Sequence, residues 1–241
     1  FFSNTRYILL FSIQFLTFIL CLKMRFLENF VDLFYPRICP ACGMLLMYGE
    51  RVICTECLIH LPKSNYHKFE DNPVAKVFWG RAQVSNATAF YVFEKGSKYQ
   101  KLIHKMKYKG QKEIGTELGK MFGEDLKNTD FHSIDNIIPV PLHPRKLKKR
   151  GFNQAELIAN GLGDSMNIPI DTESLNRIVA NPTQTRKNRI ERWQNVSGIF
   201  EVKNPLILEN KHVLIVDDVL TTGSTLEACV TAFSEIPGIK V

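Results

Sequence analysis

The sequence predicts an α/β domain, with a mostly parallel sheet flanked by helices, behind a small N-terminal module that contains four cysteines. Helix-like and strand-like patterns alternate from residue 86 onward, which is typical of a parallel sheet covered by helices. The run VLIV at 213–216 is continuously apolar, as expected for a parallel strand buried on both faces. Two CxxC pairs, at 39–42 and 54–57, precede this pattern.

The individual elements follow from side-chain periodicity. Residues 86–93, NATAFYVF, are rich in aromatic and β-branched side chains and predict a strand. Apolar residues at helical spacing predict two helices, one around 99–106 and a longer one over 114–126. The remaining predictions are a strand at 134–138, a helix near 155–162, a strand at 213–216, a helix at about 225–235, and the start of a strand at the final GIKV.

These elements predict four regions. Residues 1–23 are an apolar segment outside the fold, 24–62 form the four-cysteine module, 63–85 are a polar and irregular linker, and 86–241 form the α/β domain. The apolar content of 45% is sufficient for a real core. The excess of 31 Lys and Arg over 24 Asp and Glu suits an anionic partner such as a phosphate, a nucleotide or nucleic acid.

The apolar run at 7–22 bears on localisation. It is short for a membrane span, which needs about 20 residues. Its flanking charges and the lack of a small-x-small cleavage site do not favour a signal peptide. We interpret residues 1–23 as upstream sequence, which gives a cytoplasmic protein with no membrane partner. A membrane anchor is the alternative.

The spacing of Cys39, Cys42, Cys54 and Cys57 predicts a metal site. Two CxxC knuckles can each present two thiolates to one tetrahedral ion, and Gly43 suits the tight turn of the first knuckle. Four thiolates leave no open position, so the ion would be structural Zn2+ rather than catalytic. Two disulfides, inert buried thiols and an iron–sulfur cluster are the alternatives.

Polar residues crowd the end of the predicted strand at 213–216. Asp217 and Asp218 follow it directly, at the carboxyl end where open α/β sheets bind ligands. The next turn, Thr221, Thr222, Gly223, Ser224 and Thr225, leads into a helix whose free N–H groups favour an anion. A ribose 5-phosphate fits both parts, with its hydroxyls on the acids and its phosphate in the turn. A simple helix cap is the alternative. Cys229 lies at a core position of that helix.

The string VLIVDDVLTTGST resembles the PRPP-binding motif of type I phosphoribosyltransferases, where PRPP is 5-phosphoribosyl 1-pyrophosphate. With the four-cysteine module and the stretches PVPLHP and RGFNQA, residues 24–241 resemble the ComF/GntX family. The resemblance implies that the catalytic acids Asp217 and Asp218 contact the ribose hydroxyls of PRPP. It implies that residues 221–225 hold the 5-phosphate, while Mg2+ bridges pyrophosphate and ribose oxygens.

Basic segments could hold the other charges of the ligand. The loop after residue 141 carries five basic residues, and among them Arg150 and Lys149 are our candidates for the pyrophosphate, with a solvated charge run as the alternative. Residues 95–112 contain seven lysines and no acid, so they could follow a nucleic-acid backbone or simply be exposed. Residues 183–200 could form a mobile lid, or be structural.

Two functions remain open at this point. The first is a phosphoribosyltransferase that displaces pyrophosphate from PRPP toward an unknown acceptor, linked to DNA uptake and natural competence, as the resemblance implies. The second is an accessory protein of transformation or recombination that senses PRPP or a nucleotide and binds single-stranded DNA. Its partners would be single-stranded DNA and proteins of DNA uptake or recombination. Fold alone does not decide between them.

Overall fold

The computed structural model describes residues 34–92, 94, 96–178 and 198–241. Within these ranges the α-helices are α1 (Thr55–Ile59), α2 (Pro73–Phe78), α3 (Gln100–Tyr108), α4 (Glu113–Leu126), α5 (Pro144–Arg150), α6 (Gln154–Met166) and α7 (Ser224–Phe233). The strands are β1 (Asn136–Pro139), β2 (Leu175–Arg177), β3 (Phe200–Val202) and β4 (Val213–Val216). Short 3-10 helices span Tyr66–Lys68, Asp130–Ser133 and Pro205–Leu208.

The sheet is built around one parallel pair. β1 and β4 run parallel, with Asn136 opposite Val213 and Pro139 opposite Val216. Single parallel bridges extend this pair on both sides, between Ile137 and Ile170 and between His212 and Lys240. β2 and β3 form a separate antiparallel pair. The predicted α/β class with parallel strands and flanking helices is therefore confirmed.

The helices cover the parallel pair. α4 packs closely against α6 because glycines lie at their contact: a Cβ on Gly119 would be 2.1 Å from the carbonyl oxygen of Ile158. β1 contributes Ile137 and Ile138 to the core, and both are fully buried. Phe233 of α7 and Cys229 are also fully buried, which confirms Cys229 as a core residue.

The predictions of individual elements had mixed outcomes. The helices near 99–106, 114–126, 155–162 and 225–235 and the strands near 134–138 and 213–216 are all present. The predicted strand at 86–93 is wrong for its described residues, 86–92, which form a single bridge between Tyr91 and Lys63. Their aromatic side chains instead pack in the core, where Phe90 stacks on Phe122 with ring centroids 5.0 Å apart.

Residues 63–85 are more ordered than an irregular linker. They contain the Tyr66–Lys68 turn and helix α2, whose Val74, Ala75 and Phe78 are buried. The start of a strand predicted at the final GIKV corresponds to a single parallel bridge between Lys240 and His212. The division of the chain into a module, a linker and a domain stays a prediction.

The four-cysteine module packs directly on the α/β part. Its buried Ile53 and Leu61 share one apolar cluster with Leu102 of α3 and Leu118 of α4. The hydroxyl of Tyr99 donates a hydrogen bond of 3.1 Å to the carbonyl of Cys57. Helix α3 therefore starts at the module.

Two expectations concern residues outside the described ranges. The apolar segment 1–23 lies outside them, as do residues 183–197 of the expected lid. In the part of the chain that the structure describes, no helix combines the length and apolar character of a membrane span.

Candidate active site at the carboxyl end of the parallel strands

The acid pair lies where β4 ends, as expected for a ligand site in an open α/β sheet. Asp217 and Asp218 follow Val216 directly, and the Asp218 N–H donates a 2.8 Å hydrogen bond to Asp217 Oδ1. Burial, together with the charge of Asp218, raises the pKa of Asp217 from 3.8 to about 6. The Asp218 N–H, Lys107 and Arg177 oppose this rise without reversing it. A carboxylate held this far from water favours a ligand that donates hydrogen bonds to it.

A lysine from α3 contacts the second acid. Lys107 Nζ lies 2.7 Å from Asp218 Oδ2, and the two side chains are 20% and 15% exposed. Lys107 occupies the last turn of α3, so the lysine-rich segment 95–112 reaches the acid pair through this helix end. Its neighbour Tyr108 is largely exposed.

The turn after the acids has the features of an anion site. Thr221, Thr222, Ser224 and Thr225 are exposed, whereas Gly223 is buried. α7 begins at Ser224 with Gly223 as its N-cap, and no side chain caps this helix start. Its first-turn N–H groups thus lack the usual side-chain acceptor and remain suited to a phosphate. The hydroxyls of Thr222 and Ser224 lie 2.9 Å apart and can add donors.

Helix α2 supports this turn from behind. Gly223 has φ of 77°, and a Cβ there would lie 2.5 Å from Val77 Cγ1. Arg81, just after α2, donates a 2.9 Å hydrogen bond to the Thr222 carbonyl and forms an ion pair with Glu227. No local pattern marks Arg81 as a site residue, because its partner Thr222 is 141 positions away.

The basic segment predicted as a loop after residue 141 instead forms helix α5, and its last residue contacts the end of α3. The guanidinium of Arg150 stacks over the Tyr108 ring at 5.6 Å and donates to the buried Gln154 side chain. Asn153 caps α6 and donates a 3.0 Å hydrogen bond to the carbonyl of Val140. Arg150 is thereby placed beside the segment that carries Lys107. Lys149 is exposed on α5, and none of its described contacts links it to the acid pair.

Arg177 is a residue that sequence reasoning missed. It lies on β2, with its guanidinium 5.3 Å from the centre of the Phe200 ring. Burial lowers its pKa, while electrostatic interactions with Cys229 and Asp217 oppose that shift. Arg177 in turn lowers the pKa of Asp217, so it adds positive potential beside the acid pair. Nothing in the short strand LNR marked it as a site residue.

A cavity of about 520 Å³ extends from the acid pair into the apolar interior. Its walls include Asp217 and Asp218 at one end and side chains such as Phe78, Phe122 and Leu162 along its length. The Tyr91 hydroxyl lines it without a hydrogen-bond partner among the described residues. Burial, and then the charge of Asp218, raises the pKa of Tyr91.

The four cysteines meet as predicted. The Sγ atoms of Cys39, Cys42, Cys54 and Cys57 all lie within 4.8 Å of one another, and none of the four is in a disulfide. The Sγ atoms of Cys42 and Cys54 are 3.6 Å apart. Tetrahedral zinc with Zn–S distances of about 2.3 Å requires sulfur atoms roughly 3.8 Å apart. The cluster can therefore hold a metal ion.

Thiol electrostatics in this cluster are uneven. Burial is the largest single effect on the pKa of Cys39, and it raises that pKa. Hydrogen bonds from the N–H groups of Cys54, Cys42 and Ala41 outweigh it together and lower the pKa of Cys39 to about 7. Burial raises the pKa of Cys57, with the neighbouring thiols adding to the shift. Gly43 adopts φ of 82° and donates from its N–H to the Cys39 carbonyl at 2.8 Å, which confirms the expected knuckle turn.

Comparison with known proteins agrees with this geometry. Residues 147–236 match the family model described as the phosphoribosyl transferase domain, which includes Arg150, the acid pair and the turn. The chain is 33% identical over 129 residues to DNA utilization protein YhgH of Escherichia coli O157:H7, covering 52% of this chain and 56% of that protein. No solved structure matches.

Two further relatives carry competence names. Competence protein F of Haemophilus influenzae is 33% identical over 132 residues, covering 52% of this chain and 57% of that protein. Competence protein ComFC of Bacillus subtilis is 29% identical over 126 residues, covering 52% of this chain and 48% of that protein. The chain thus spans about half the length of the curated relatives it matches. Over that half the chain is similar to proteins named for DNA utilization and competence, and its residues 147–236 match the phosphoribosyl transferase domain.

Proposed function

We propose that this chain binds PRPP at the carboxyl end of β4. The ribose hydroxyls lie on the catalytic acids Asp217 and Asp218, and the 5-phosphate lies in the turn Thr221, Thr222, Gly223, Ser224 and Thr225. One observation carries the proposal: an acid pair and an uncapped helix start lie within a few residues of each other at the end of a buried parallel strand. The acid pair requires hydrogen-bond donors from the ligand, and the helix start requires an anion. A ribose 5-phosphate carries both groups.

The physical fit is specific at both ends. Carboxylates accept hydrogen bonds and repel phosphate, so Asp217 and Asp218 select the sugar diol. The start of α7 offers N–H donors and the positive end of the helix dipole, so it selects the phosphate. The hydroxyls of Thr222 and Ser224 lie beside those donors.

The pyrophosphate group of PRPP would lie near the end of α5. Arg150, fixed by Tyr108 and Gln154, and the exposed Lys149 are the proposed pyrophosphate ligands. Arg150 presents a planar fork of donors, which suits phosphate oxygens. Mg2+ bound together with PRPP would neutralise negative charge on the leaving group.

The proposed reaction is displacement at C1 of the ribose. The bond from C1 to the pyrophosphate oxygen breaks with its electron pair, and an acceptor of unknown identity forms the new bond to C1. Asp217 and Asp218 hold the sugar while positive charge develops on its ring, and Arg150 stabilises the departing anion. The cavity beside the acid pair gives the site space away from water.

The cysteine cluster has a structural role in this proposal. Cys39, Cys42, Cys54 and Cys57 would hold one Zn2+ that fixes the two knuckles. The module packs on α3, and α3 carries Lys107 at its other end. Metal ligation by free thiols suits a reducing compartment, which supports a cytoplasmic location.

A second candidate function follows from α5. Five of its seven residues are basic, and none is buried. Such a helix can follow a phosphate backbone, and relatives are named for DNA utilization and competence. The chain would then be a PRPP-sensing accessory that binds single-stranded DNA and works with proteins of DNA uptake or recombination.

Calorimetric titration with PRPP and Mg2+ tests the first function. Wild type should bind, and Asp217→Asn/Asp218→Asn should lose at least tenfold in affinity, because amides cannot replace two charge-assisted acceptors. Asp164→Asn, on the exposed face of α6, is the matched control. Unchanged affinity in the double variant would remove the central claim.

A second measurement separates catalysis from sensing. Release of pyrophosphate from PRPP with candidate acceptors, lost in the same double variant, would support the transferase. Binding of single-stranded DNA that weakens steeply with salt, together with PRPP binding and no pyrophosphate release, would support the accessory.

A further inference from the structure

Arg81 joins a part of the chain outside the matched domain to the turn proposed to bind phosphate. Its Nη1 donates to the Thr222 carbonyl at 2.9 Å and to the Val77 carbonyl at 3.1 Å. Its Nη2 forms an ion pair with Glu227, which lies in the first turn of α7. One guanidinium thus contacts both the turn and the helix that follows it.

The ion pair with Glu227 has an electrostatic consequence. An acid in the first turn stabilises a helix, but it repels a second anion bound at the same helix start. The Glu227 side chain is only 18% exposed, so water screens its charge incompletely. Arg81 neutralises this charge and keeps the helix start favourable for a phosphate.

The bond to Thr222 has a geometric consequence. A peptide whose carbonyl is fixed has its own N–H direction fixed as well, because the peptide unit is planar. Holding the Thr222 carbonyl toward Arg81 therefore sets the direction of the next N–H, that of Gly223. The hydrogen bond preorganises the turn before a ligand arrives.

Arg81 can do this because its own segment is anchored. Asn72, 3% exposed, caps α2 by accepting from the N–H groups of Val74 and Ala75. Its amide nitrogen donates to the carbonyl of Ala87 at 2.9 Å. Val77 of α2 then packs against Gly223. Hydrogen bonds and packing therefore hold this segment against the turn.

We propose that Arg81 is a positioning residue for the turn Thr221–Thr225, and that it sets the affinity for the phosphate end of the ligand. This role of Arg81 rests on the proposed function, and it adds to the proposed site a residue outside the matched domain. Arg81 contacts the turn's backbone and Glu227, not the ligand.

Three variants separate charge from geometry. Arg81→Gln removes the charge, Arg81→Lys keeps it without the fork, and Arg81→Gln/Glu227→Gln removes both charges. We expect Arg81→Gln to weaken ribose 5-phosphate binding roughly tenfold and the double variant to recover part of that loss, because the unmasked acid is gone. Arg51→Gln, exposed in the cysteine module, is the control.

Two readouts exclude a merely structural effect. Pyrophosphate affinity should change by less than about twofold in Arg81→Gln, since that anion belongs to the Arg150 end of the site. Amide hydrogen exchange of residues 222–226 in the ligand-free protein should accelerate in Arg81→Gln and stay unchanged in Arg51→Gln. An equal loss for both anions would mean general destabilisation and would overturn the proposal.

The outcomes also separate this proposal from the proposed function. If wild type binds ribose 5-phosphate and Arg81→Gln binds it equally well, Arg81 has no positioning role while the function stands. If wild type binds no ribose 5-phosphate, the proposed function fails. Amide hydrogen exchange of residues 222–226 then tests whether Arg81 positions the turn. Equal exchange rates at 222–226 in wild type and Arg81→Gln would then overturn its role.

Discussion

Lys107 Nζ lies 2.7 Å from Asp218 Oδ2 in a largely buried ion pair, which connects the C-terminal end of α3 to the acid pair after β4. The same lysine lowers the pKa of Asp217, although burial dominates and keeps that pKa raised. The protonation of Asp217 therefore depends on a helix that begins at the cysteine module.

Removing this lysine should change the titration of Asp217. In Lys107→Met we expect the pKa of Asp217 to rise above its value of about 6, because a favourable charge near the carboxylate is lost. Carbon-13 NMR of the carboxyl group measures it. Lys101→Met, exposed on the same helix, should leave the titration unchanged. No rise in Lys107→Met would show that the pair does not act on Asp217.

The raised pKa of Asp217 also predicts how stability depends on pH. The folded chain binds this proton more tightly than an unfolded chain, whose Asp has a pKa of 3.8. Stability contributed by this group is therefore lost as pH rises from about 4 to about 6. Asp217→Asn lacks that loss and should be more stable than wild type above pH 6, by roughly 1–3 kcal/mol.

Urea denaturation of wild type and Asp217→Asn at pH 4 and pH 7.5 measures this difference. The gap between the two free energies of unfolding should widen at the higher pH, and the variant should have lost PRPP binding. A gap that is constant across this range would contradict the assignment of a raised pKa to Asp217.

Gly223 should not tolerate a side chain. Its φ of 77° is unfavourable for other residues, and an added Cβ would lie 2.5 Å from Val77 Cγ1. We expect Gly223→Ala to cost about 1–3 kcal/mol of unfolding free energy and to weaken ribose 5-phosphate binding. Adding Val77→Ala should remove the contact but not the backbone strain, so it should restore stability only in part. Full stability in Gly223→Ala alone would contradict this geometry.

Arg150 should matter for its shape as well as its charge. Its guanidinium stacks on Tyr108 and donates to Gln154, which a lysine cannot reproduce. We expect Arg150→Lys to weaken pyrophosphate binding several-fold and Arg150→Ala to weaken it at least tenfold. Arg145→Lys, exposed on α5, is the matched control. Unchanged affinity in Arg150→Ala would place the pyrophosphate site elsewhere.

The cysteine cluster should hold zinc. A purified, colourless protein should contain about one zinc per chain, and Cys42→Ser should reduce that content and lower the melting temperature. Cys229→Ala, in the core of α7, should keep the metal. Emission spectroscopy gives the metal content. A brown preparation with broad visible absorption would instead indicate an iron–sulfur cluster.

Local pattern was sufficient where a feature depends on neighbouring residues. The apolar run before Asp217 predicted β4 with its bounds, because a strand buried on both faces needs consecutive apolar side chains. The spacing of the cysteines predicted that their sulfur atoms meet, because each CxxC turn places two thiols together. The same reasoning failed at 86–92, the described part of the predicted strand 86–93, where Phe90 and Tyr91 pack against the core and the described pairing is one bridge between Tyr91 and Lys63.

The sequence by itself thus determined the α/β class, the four-cysteine cluster and the acid pair with its following turn. Only the tertiary structure decided that Lys107 meets Asp218, that Arg150 stacks on Tyr108, and that Arg81 holds the turn. The physical reason is chain separation. Arg81 and Thr222 are 141 positions apart, so packing of α2 against the turn at Gly223, and no local periodicity, brings them together.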